Sequence, residues 1–441
     1  MLGVPPTRIL LIPALAGLLM GVILAGCTGG GKRAGTTIRF VAPDWPDEVK
    51  RLSGLIARFE KAHPGVRVEA IYTSDVRQKT LLLTTSGSPL DLVYLNDTEF
   101  PAFVSKGVFQ PLDEFIRKDA TFDLSDFYPT AIQCGTLRGK IYAVPPAYGT
   151  LPILYNKKLF DKAGVPYPKI GWTWEQFRDA CRKLTIDRNR DGKPEQFGCV
   201  SMEVWFWLPM VFQNGGRIVD AGGKCVFNSQ QVLSVLQLVK DMYNVDRVFV
   251  TQSTFPGAFS GGGRSLSEPS LFAGGKAAMI MTDMSVSKDF PPNLDWDIVS
   301  PPEKKGGRKC FHVGFWGYAM TSSSRNKQLT WELAKSLTSR QALEEWVQGV
   351  KLRKWQIMGV PARKSLADKV ASLYPGKSMR AYTYCLQYPD FAQAQFLGTP
   401  AWRQAESKYN LSDVMFGRVN GDLKAVLDGL TTEINKTLAR K

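Results

Sequence analysis

The chain has 441 residues, which is enough for two domains with separate hydrophobic cores. Its hydrophobic content of 44% argues against a disordered chain. The formal net charge of +16 raises the question of a nucleic-acid or anionic-membrane partner. The basic residues are scattered and form no nucleic-acid-binding motif, so we interpret them as solvated surface charge and expect no nucleic-acid partner.

The first 26 residues differ from the rest of the chain. Arg8 is their only charged residue, and residues 9–26 are apolar, Gly or Pro. A short positive start, an apolar middle and a small-residue exit predict a secretory signal peptide. No comparable apolar run follows, so we expect export without a second membrane segment.

The exit of this segment reads Leu24-Ala25-Gly26-Cys27. It resembles the bacterial lipobox, which implies lipid attachment to Cys27 and cleavage just before it. Residues 27–36, rich in Gly, would then form a flexible tether. Several acyl chains hold a soluble domain at a membrane, at about 0.8 kcal/mol per buried CH₂. An ordinary cleaved signal with a chance cysteine is the alternative.

Six further cysteines allow 15 disulfide pairings, and the sequence does not choose among these pairings or between disulfides and buried free thiols. They are Cys134, Cys181, Cys199, Cys225, Cys310 and Cys385.

The first predicted elements form a β-α-β-α-β series. "TIRFVAP" (37–43) is typical of a strand, and apolar residues at helical spacing from Val49 to Phe59 predict a helix. "VRVEAIY" predicts the second strand, residues 76–85 the second helix, and "DLVYLN" a buried third strand. This order is typical of a mainly parallel, doubly wound α/β sheet, which binds ligands at its strand ends.

Beyond Pro145-Pro146 the predicted elements are mixed. "TWEQFRDACRKL" predicts a helix capped by Thr173, and "QQVLSVLQLVKDMY" predicts another. "GKAAMIM" and "FHVGFWGYAMT" predict strands. Residues 329–347 predict one long helix, and residues 365–441 are mostly helical.

The sequence lacks the catalytic motifs and metal-ligand spacings that are typical of most enzymes. Its two histidines, His63 and His312, stand in no motif with a Ser or Cys nucleophile, and no spacing predicts a zinc site. We expect no enzyme and no cofactor. Asp187, Asn189 and Asp191 begin like a calcium loop, but the twelfth position lacks the expected Glu. We interpret this stretch as a turn, with calcium binding as the weaker alternative.

Several of the 11 tryptophans fall in predicted loops. An indole ring offers a flat apolar face and one N–H donor, which suits the C–H face of a sugar ring. Core packing is the alternative for each of them. These residues are Trp45, Trp172, Trp174, Trp205, Trp207 and Trp316.

A specific order of segments runs along residues 37–365. It includes "IRFVAPDW", "PLDLVYLND", "GKIYAVPPAYGTLPILYNKKLFDKAGV", "TWEQF", "FQNGG", "FAGGKAAMIM", "HVGFWGYAM" and "GVPARKS". In this order the chain resembles the extracellular solute-binding proteins of ABC importers, in the carbohydrate-binding group related to maltose-binding protein. The lipobox and tether agree with this resemblance independently.

The resemblance implies a two-lobed, periplasmic-binding-protein-like α/β fold of type II. Each lobe would be a mainly parallel sheet flanked by helices, with a hinge between the lobes. Residues 37–146 plus 286–345 would form the first lobe, and residues 147–284 plus 346–441 the second.

Carried over by position, the resemblance also implies the residues of the ligand cleft. The first lobe would contribute Trp45, Asn96 and Asp97, and Tyr148 would follow the first crossover. The other positions are Trp205, Trp207, Asn214, Asp283, Trp316 and Arg363.

The implied function is to bind a carbohydrate, close around it and deliver it to membrane permease subunits. The protein would be a monomer held to the membrane by its lipid alone. The many basic residues leave open an anionic sugar. The alternatives are a non-sugar solute such as a polyamine, glycerol phosphate or peptide, and a secreted carbohydrate-active enzyme.

Overall fold

The computed structural model describes residues 35–189, 191, 193–251, 254, 267–351, 359–370, 372–389 and 395–440. The signal peptide, Cys27 and nearly all of the tether lie outside the described residues. Within these ranges, no helix combines the length and the hydropathy that crossing a membrane requires.

A six-stranded sheet contains the first three predicted strands, in the order β11-β6-β10-β3-β1-β2. β1 pairs in parallel with β2 and with β3, as the β-α-β-α-β pattern predicts. β10 is inserted between β3 and β6 and runs antiparallel to both. The strands are β1 (Thr36–Pro43), β2 (Val66–Thr73), β3 (Leu92–Asn96), β6 (Ala143–Thr150), β10 (Val313–Met320) and β11 (Val360–Pro361).

A three-stranded sheet has β7 in its centre, between β8 and β9. Both pairings are antiparallel, so the predicted mainly parallel pairing is wrong for this sheet. The prediction also fails for the six-stranded sheet, which is a mixed sheet with three antiparallel pairings among five. These strands are β7 (Ile153–Asn156), β8 (Met279–Met281) and β9 (Trp296–Val299), and a separate two-stranded ribbon joins β4 (Thr136–Leu137) to β5 (Lys140–Ile141).

Helices cover both sheets, and their ends follow local capping chemistry. Thr173 and Gln176 form a capping box at the start of α7, as the sequence predicts for Thr173. The helices are α1 (Pro46–Ala62), α2 (Val76–Thr85), α3 (Phe100–Ser105), α4 (Asp113–Lys118), α5 (Pro129–Cys134), α6 (Lys157–Ala163), α7 (Trp174–Leu184), α8 (Val204–Gln213), α9 (Gln230–Asn244), α10 (Ser267–Ala273), α11 (Lys327–Leu337), α12 (Arg340–Lys351), α13 (Ala367–Val370), α14 (Met379–Cys385), α15 (Pro400–Tyr409), α16 (Leu411–Met415) and α17 (Leu423–Leu438).

The prediction of one long helix over residues 329–347 is wrong, because the chain breaks between α11 and α12. The Thr338 hydroxyl bonds the Ala334 carbonyl oxygen at 3.1 Å, inside the turn that ends α11. The Ser339 hydroxyl then accepts the backbone N–H of Ala342 at 3.2 Å, in the manner of an N-cap. Two adjacent hydroxyl residues thus end one helix and begin the next.

Two strands lie in a different sheet from the one that the sequence interpretation implies. β9 falls within 286–345, assigned to the first lobe, yet it pairs with β7. β11 falls within 346–441, assigned to the second lobe, yet it pairs with β6 in the six-stranded sheet. β11 has two residues and β9 has four. Neither sequence indicates which of the two sheets its strand joins. The lobe boundaries as a whole stay a prediction.

The buried apolar residues form two clusters. The first packs around the six-stranded sheet and includes Phe40, Phe100 and Trp331. The second packs around α7, α8, α9 and α17 and includes Trp207 and Phe227. The six cysteines after Cys27 are buried as thiols and are not joined in disulfides.

Candidate ligand-binding cleft

A cavity of about 890 Å³ lies beside the end of the six-stranded sheet. This size is within the range of small-molecule sites. One side comes from the turn after β1, the ends of β3 and β6 and the start of β10, where residues 96 and 316 are direct partners. The cavity is also lined by residues of α10 and of the segment 283–290, which follows β8. Open α/β sheets bind ligands at such strand ends, so we take this cavity as the candidate site.

Two tryptophan rings form one wall of the cleft. Trp45 and Trp316 meet edge to face, with ring centroids 4.7 Å apart and an interplanar angle of 76°. Tyr94 contacts Trp316 at 5.6 Å and stacks on Tyr318 at 4.5 Å, so buried rings support the wall from behind. Both tryptophans are half-buried and retain exposed ring surface. This wall offers the flat apolar face that packs against a sugar ring.

A buried ion pair lies behind the aromatic wall, on helix α1. The Arg51 guanidinium donates to both Glu48 carboxylate oxygens, at 2.5 and 2.9 Å, and to the Tyr318 hydroxyl at 3.0 Å. Arg51 is 6% exposed and Glu48 is 7% exposed. Because Trp45 immediately precedes α1, this contact fixes the start of the helix against the sheet and so positions the Trp45 ring.

Asp97 stands at the end of β3 and faces the cleft. Its backbone N–H donates to the Phe315 carbonyl oxygen at 3.2 Å, which fixes the residue against β10. Only 9% of the residue is exposed, and burial raises the pKa of its carboxyl to about 7. The carboxyl therefore loses its proton in the neutral range, where small changes around it alter its charge.

His312 lies next to Asp97 across Gly314. A carbon atom added at the Cβ position of Gly314 would lie 3.2 Å from His312 Nε2 and 3.3 Å from Asp97 Oδ1. Burial lowers the pKa of His312 to about 4, so its imidazole is neutral at pH 7. Both groups are close to one point beside Gly314, so the carboxyl and the imidazole are near each other and Gly314 places no side chain between them.

Helix α8 holds the imidazole in place. The Trp205 ring packs on the His312 ring with centroids 4.6 Å apart. Gln213, at the end of α8, donates to the Cys310 carbonyl oxygen at 2.9 Å, two residues before the histidine. From the other side, the Thr150 hydroxyl donates to the His312 carbonyl oxygen at 2.7 Å.

Asp283 follows β8 and also lines the cleft. Its Oδ1 accepts the backbone N–H of Ser285 at 2.8 Å and also accepts the Ser285 hydroxyl. These bonds form the cap of a short 3-10 helix over Met284–Asp289. Asp283 thus combines a capping role with a position at the cleft.

The cavity brings together five of the ten residues that the sequence interpretation places in the cleft. They are Trp45, Asn96, Asp97, Asp283 and Trp316.

Two further predicted residues lie next to the cavity. Tyr148 is 3% exposed and its ring packs at 5.6 Å on Tyr128, below the cleft surface. Trp205 lines a narrow adjoining cavity and contacts the site through His312. Neither residue is among those that line the main cavity.

The remaining three are placed elsewhere, so the prediction that they line the cleft is not supported by their positions. Trp207 is 2% exposed in the second core. The Asn214 side-chain amide donates to the Gln231 carbonyl oxygen at 2.7 Å, which joins α8 to α9. Arg363 is buried against Asp126, with a nitrogen-to-oxygen distance of 2.9 Å.

The sequence interpretation missed His312, Tyr382 and Phe290, which all line the cavity. His312 is part of the quoted segment "HVGFWGYAM", and its place just before Gly314 was the available signal. Tyr382 accepts the backbone N–H of Thr150 at 3.2 Å from a helix far along the chain, a proximity that no local pattern encodes.

The calcium-loop residues form a turn in the described part of the chain. The Asn189 amide donates to Asp191 Oδ2 at 3.0 Å, and Asp191 Oδ1 accepts the backbone N–H of Lys193 at 2.8 Å. Among the described residues, no group of three or more His, Cys, Asp or Glu side chains is arranged to hold a metal ion.

Comparison with known proteins identifies the family. Residues 42–344, more than half of the chain, match the sequence profile described as bacterial extracellular solute-binding protein. The chain belongs to this family.

Relatives of this solute-binding protein cover most of its length. The arabinooligosaccharide-binding protein of Bacillus subtilis is 25% identical over 349 residues, 72% of each chain. A lipoprotein of Streptomyces antibioticus is 27% identical over 317 residues, 68% of this chain and 66% of its own. The structure of an ABC substrate-binding protein from Listeria monocytogenes in complex with cycloalternan aligns with a TM-score of 0.74 at 24% identity, covering 92% of this chain and 99% of that one.

The structural alignment shows that the solute-binding protein has the two-lobed, periplasmic-binding-protein-like α/β fold. The prediction of this fold is therefore confirmed, but its mainly parallel strand pairing is wrong: three of the five pairings in the six-stranded sheet and both pairings in the smaller sheet are antiparallel. The Bacillus and Listeria relatives are named as binding proteins.

Proposed function

We propose that this protein is the extracellular, lipid-anchored substrate-binding component of an ABC transporter for carbohydrate uptake. The cleft beside the six-stranded sheet is the binding site. The observation that carries this proposal is the combination, in one cavity, of the Trp45–Trp316 wall with the carboxyl of Asp97. Aromatic faces pack on the C–H face of a sugar, and carboxylates accept its hydroxyl hydrogens.

The relatives support a carbohydrate over other solutes. The Bacillus relative is named for an arabinooligosaccharide, and the Listeria structure contains cycloalternan. Both proteins align over more than two thirds of this chain. From these relatives we infer that the ligand of this protein is a carbohydrate, but we do not infer which sugar it is.

The mechanism is a population shift between an open and a closed form. The cavity is lined by the six-stranded sheet, by α10 and by the segment 283–290 after β8, so a bound sugar contacts elements from separate parts of the chain at once. A ligand that makes contacts in the closed form only stabilises that form. The closed, loaded monomer then docks on the permease subunits and releases the sugar to them.

The lipid on Cys27 keeps the protein beside its permease. A tether of about ten residues reaches at most about 35 Å, so the protein stays at a high effective concentration near the membrane. The lipoprotein name of the Streptomyces relative supports this arrangement.

Ligand binding tests the proposed function. Arabino-oligosaccharides, malto-oligosaccharides and cycloalternan are screened by thermal shift and then by calorimetry. A ligand at 100 times its Kd stabilises the folded state by about 2.7 kcal/mol, which raises the melting temperature. Trp316→Ala should weaken binding about tenfold or more, whereas Tyr167→Ala, which removes an exposed ring outside the cavity, should not.

The alternatives give different results in the same screen. A rise in melting temperature with spermidine, glycerol 3-phosphate or a peptide, and with no sugar, contradicts the carbohydrate proposal. Formation of shortened products from the oligosaccharides indicates a carbohydrate-active enzyme instead.

Cys27→Ser tests the anchor. Expressed in a bacterial host, the native chain should be cleaved before Cys27 and fractionate with membranes. The Cys27→Ser chain should be released or remain unprocessed, and Cys134→Ser, which changes a buried thiol, serves as the control. Membrane anchoring that survives Cys27→Ser would contradict the lipid attachment.

A further inference from the structure

The charge of the cleft is opposite to the charge of the chain. The chain carries a formal net charge of +16. Among the described residues that line the cleft, three are aspartates and none is Lys or Arg. The three are Asp97, Asp283 and Asp289. A cavity lined by one sign of charge attracts ligands of the other sign and repels those of its own.

Asp97 has no cationic partner. In the described part of the chain, no Lys, Arg or His side chain lies within 4.0 Å of its carboxyl oxygens, and no side chain donates a hydrogen bond to them. With 9% exposure it is a buried carboxyl that faces an open cavity. Burying an unpaired carboxylate is unfavourable, and this is why the pKa of Asp97 rises to about 7. A ligand cation would remove that penalty.

His312 supplies a second acceptor beside Asp97 without adding positive charge. Its Nε2 and the Asp97 Oδ1 both lie within 3.3 Å of the empty Cβ position of Gly314. Because burial lowers its pKa to about 4, the imidazole stays neutral at pH 7 and does not repel a cation. A neutral imidazole has one acceptor nitrogen, and an ammonium group has three N–H donors to share between it and the carboxylate.

Aromatic rings line the same cavity as Asp97 and His312. Trp45, Trp316, Phe290 and Tyr382 line the same cavity. The face of an aromatic ring attracts a cation, and tryptophan does so most strongly. The same rings pack against the apolar face of a sugar, so they serve both parts of a ligand that carries sugar rings and an amino group.

We propose that the cleft selects an amine-bearing carbohydrate, whose protonated amino group enters the space over Gly314 and pairs with Asp97 and His312. This inference rests on the proposed carbohydrate-binding function and narrows its ligand class. It excludes uronates and phosphorylated sugars, whose negative charge would lie beside the buried carboxyl of Asp97.

Matched sugars test the inference by calorimetry at pH 7. The pairs are D-glucose with D-glucosamine, D-galactose with D-galactosamine, and cellobiose with the β-1,4-linked glucosamine disaccharide. The N-acetylated forms keep the size of the substituent and remove its charge. We expect the amine of at least one pair to bind about tenfold or more tightly than its neutral parent and its N-acetyl form.

Asp97→Asn keeps the shape of the side chain and removes its charge. In this variant, the affinity for each amino sugar should be close to the affinity for its neutral parent, so that their ratio is close to one. Asp179→Asn removes an exposed carboxylate on α7, outside the cleft, and should leave the ratio unchanged. An amine preference that persists in Asp97→Asn overturns the assignment to Asp97.

The two proposals fail in different ways. Neutral parents that bind as tightly as the amines, or more tightly, overturn the amine inference and leave the carbohydrate function standing. Binding of spermidine with no binding of any sugar overturns both proposals, as does a panel of neutral and amino sugars in which nothing binds.

Discussion

At the scale of single residues, Asp97 shows how the fold changes the chemistry of a side chain. An exposed aspartate has a pKa near 4, but burial beside β10 raises the pKa of Asp97 to about 7. The unfolded chain therefore loses this proton at lower pH than the folded chain does. Between these two pKa values the folded state binds more protons, so this group destabilises the fold progressively as the pH rises from about 4 to 7.

Asp97→Asn removes this dependence on pH. The free energy of unfolding of Asp97→Asn minus that of the native protein should increase by about 2 to 3 kcal/mol from pH 5 to pH 8. The reason is that the native carboxyl is fully charged only above about pH 7, and the cost of burying its charge is complete only there. Thermal or urea unfolding without ligand at both pH values measures the change. Asp179→Asn, at an exposed site, is the control. An equal difference between native protein and Asp97→Asn at both pH values would show that the carboxyl titrates normally.

Tryptophans illustrate which single residues a sequence can assign. Trp45 follows β1 and Trp316 lies within β10 opposite the end of β3, and both line the cavity. Trp207 lies in α8, whose sequence "VWFWLPMVFQ" is apolar on all sides, and it is buried. A helix that is apolar all round is typically buried, so this composition was the available signal that Trp207 belongs to the core.

At the scale of elements, helix α1 is attached to the sheet by a buried ion pair. Glu48 and Arg51 lie one turn apart on α1, and Arg51 also contacts the Tyr318 hydroxyl of β10. The spacing of three residues predicts contact between the two side chains, but not their burial. Burial follows from the position of α1 over β10, where Tyr318 is inaccessible to solvent.

Arg51→Met should destabilise the protein by about 3 to 5 kcal/mol, because it leaves the Glu48 carboxylate buried and unpaired. The double variant Glu48→Gln/Arg51→Met should recover much of this loss, since no charge then remains. Urea unfolding of the single and double variants measures both effects. Arg58→Met, which breaks the exposed ion pair with Glu345, is the matched control and should change stability by less than about 1 kcal/mol. A double variant no more stable than Arg51→Met would contradict this account.

At the scale of the whole molecule, the proposed closure predicts a change of shape. A saturating sugar should reduce the radius of gyration measured by small-angle X-ray scattering, because the two sides of the cavity approach each other. Trp316→Ala, at the same sugar concentration, should show a smaller reduction because less of it is loaded. A radius of gyration unchanged by a ligand that calorimetry shows to be bound would contradict the hinge mechanism.

The sequence alone determined the elements and the family. Strand and helix periodicity located β1, α1, β2, α2 and β3, because each of these depends on residues close together in the chain. The order of motifs matched the family that the comparison identifies. These are local or sequential properties, which a single chain displays without being folded.

Only the tertiary structure decided how the parts meet. It inserted β10 between β3 and β6, placed β9 and β11 in sheets other than those expected, and brought His312 and Asp97 to either side of Gly314. It also placed three carboxyls and no described basic residue in the cleft of a basic chain. Such pairings join residues 140 to 228 positions apart, and their energies depend on burial, which composition and spacing do not encode.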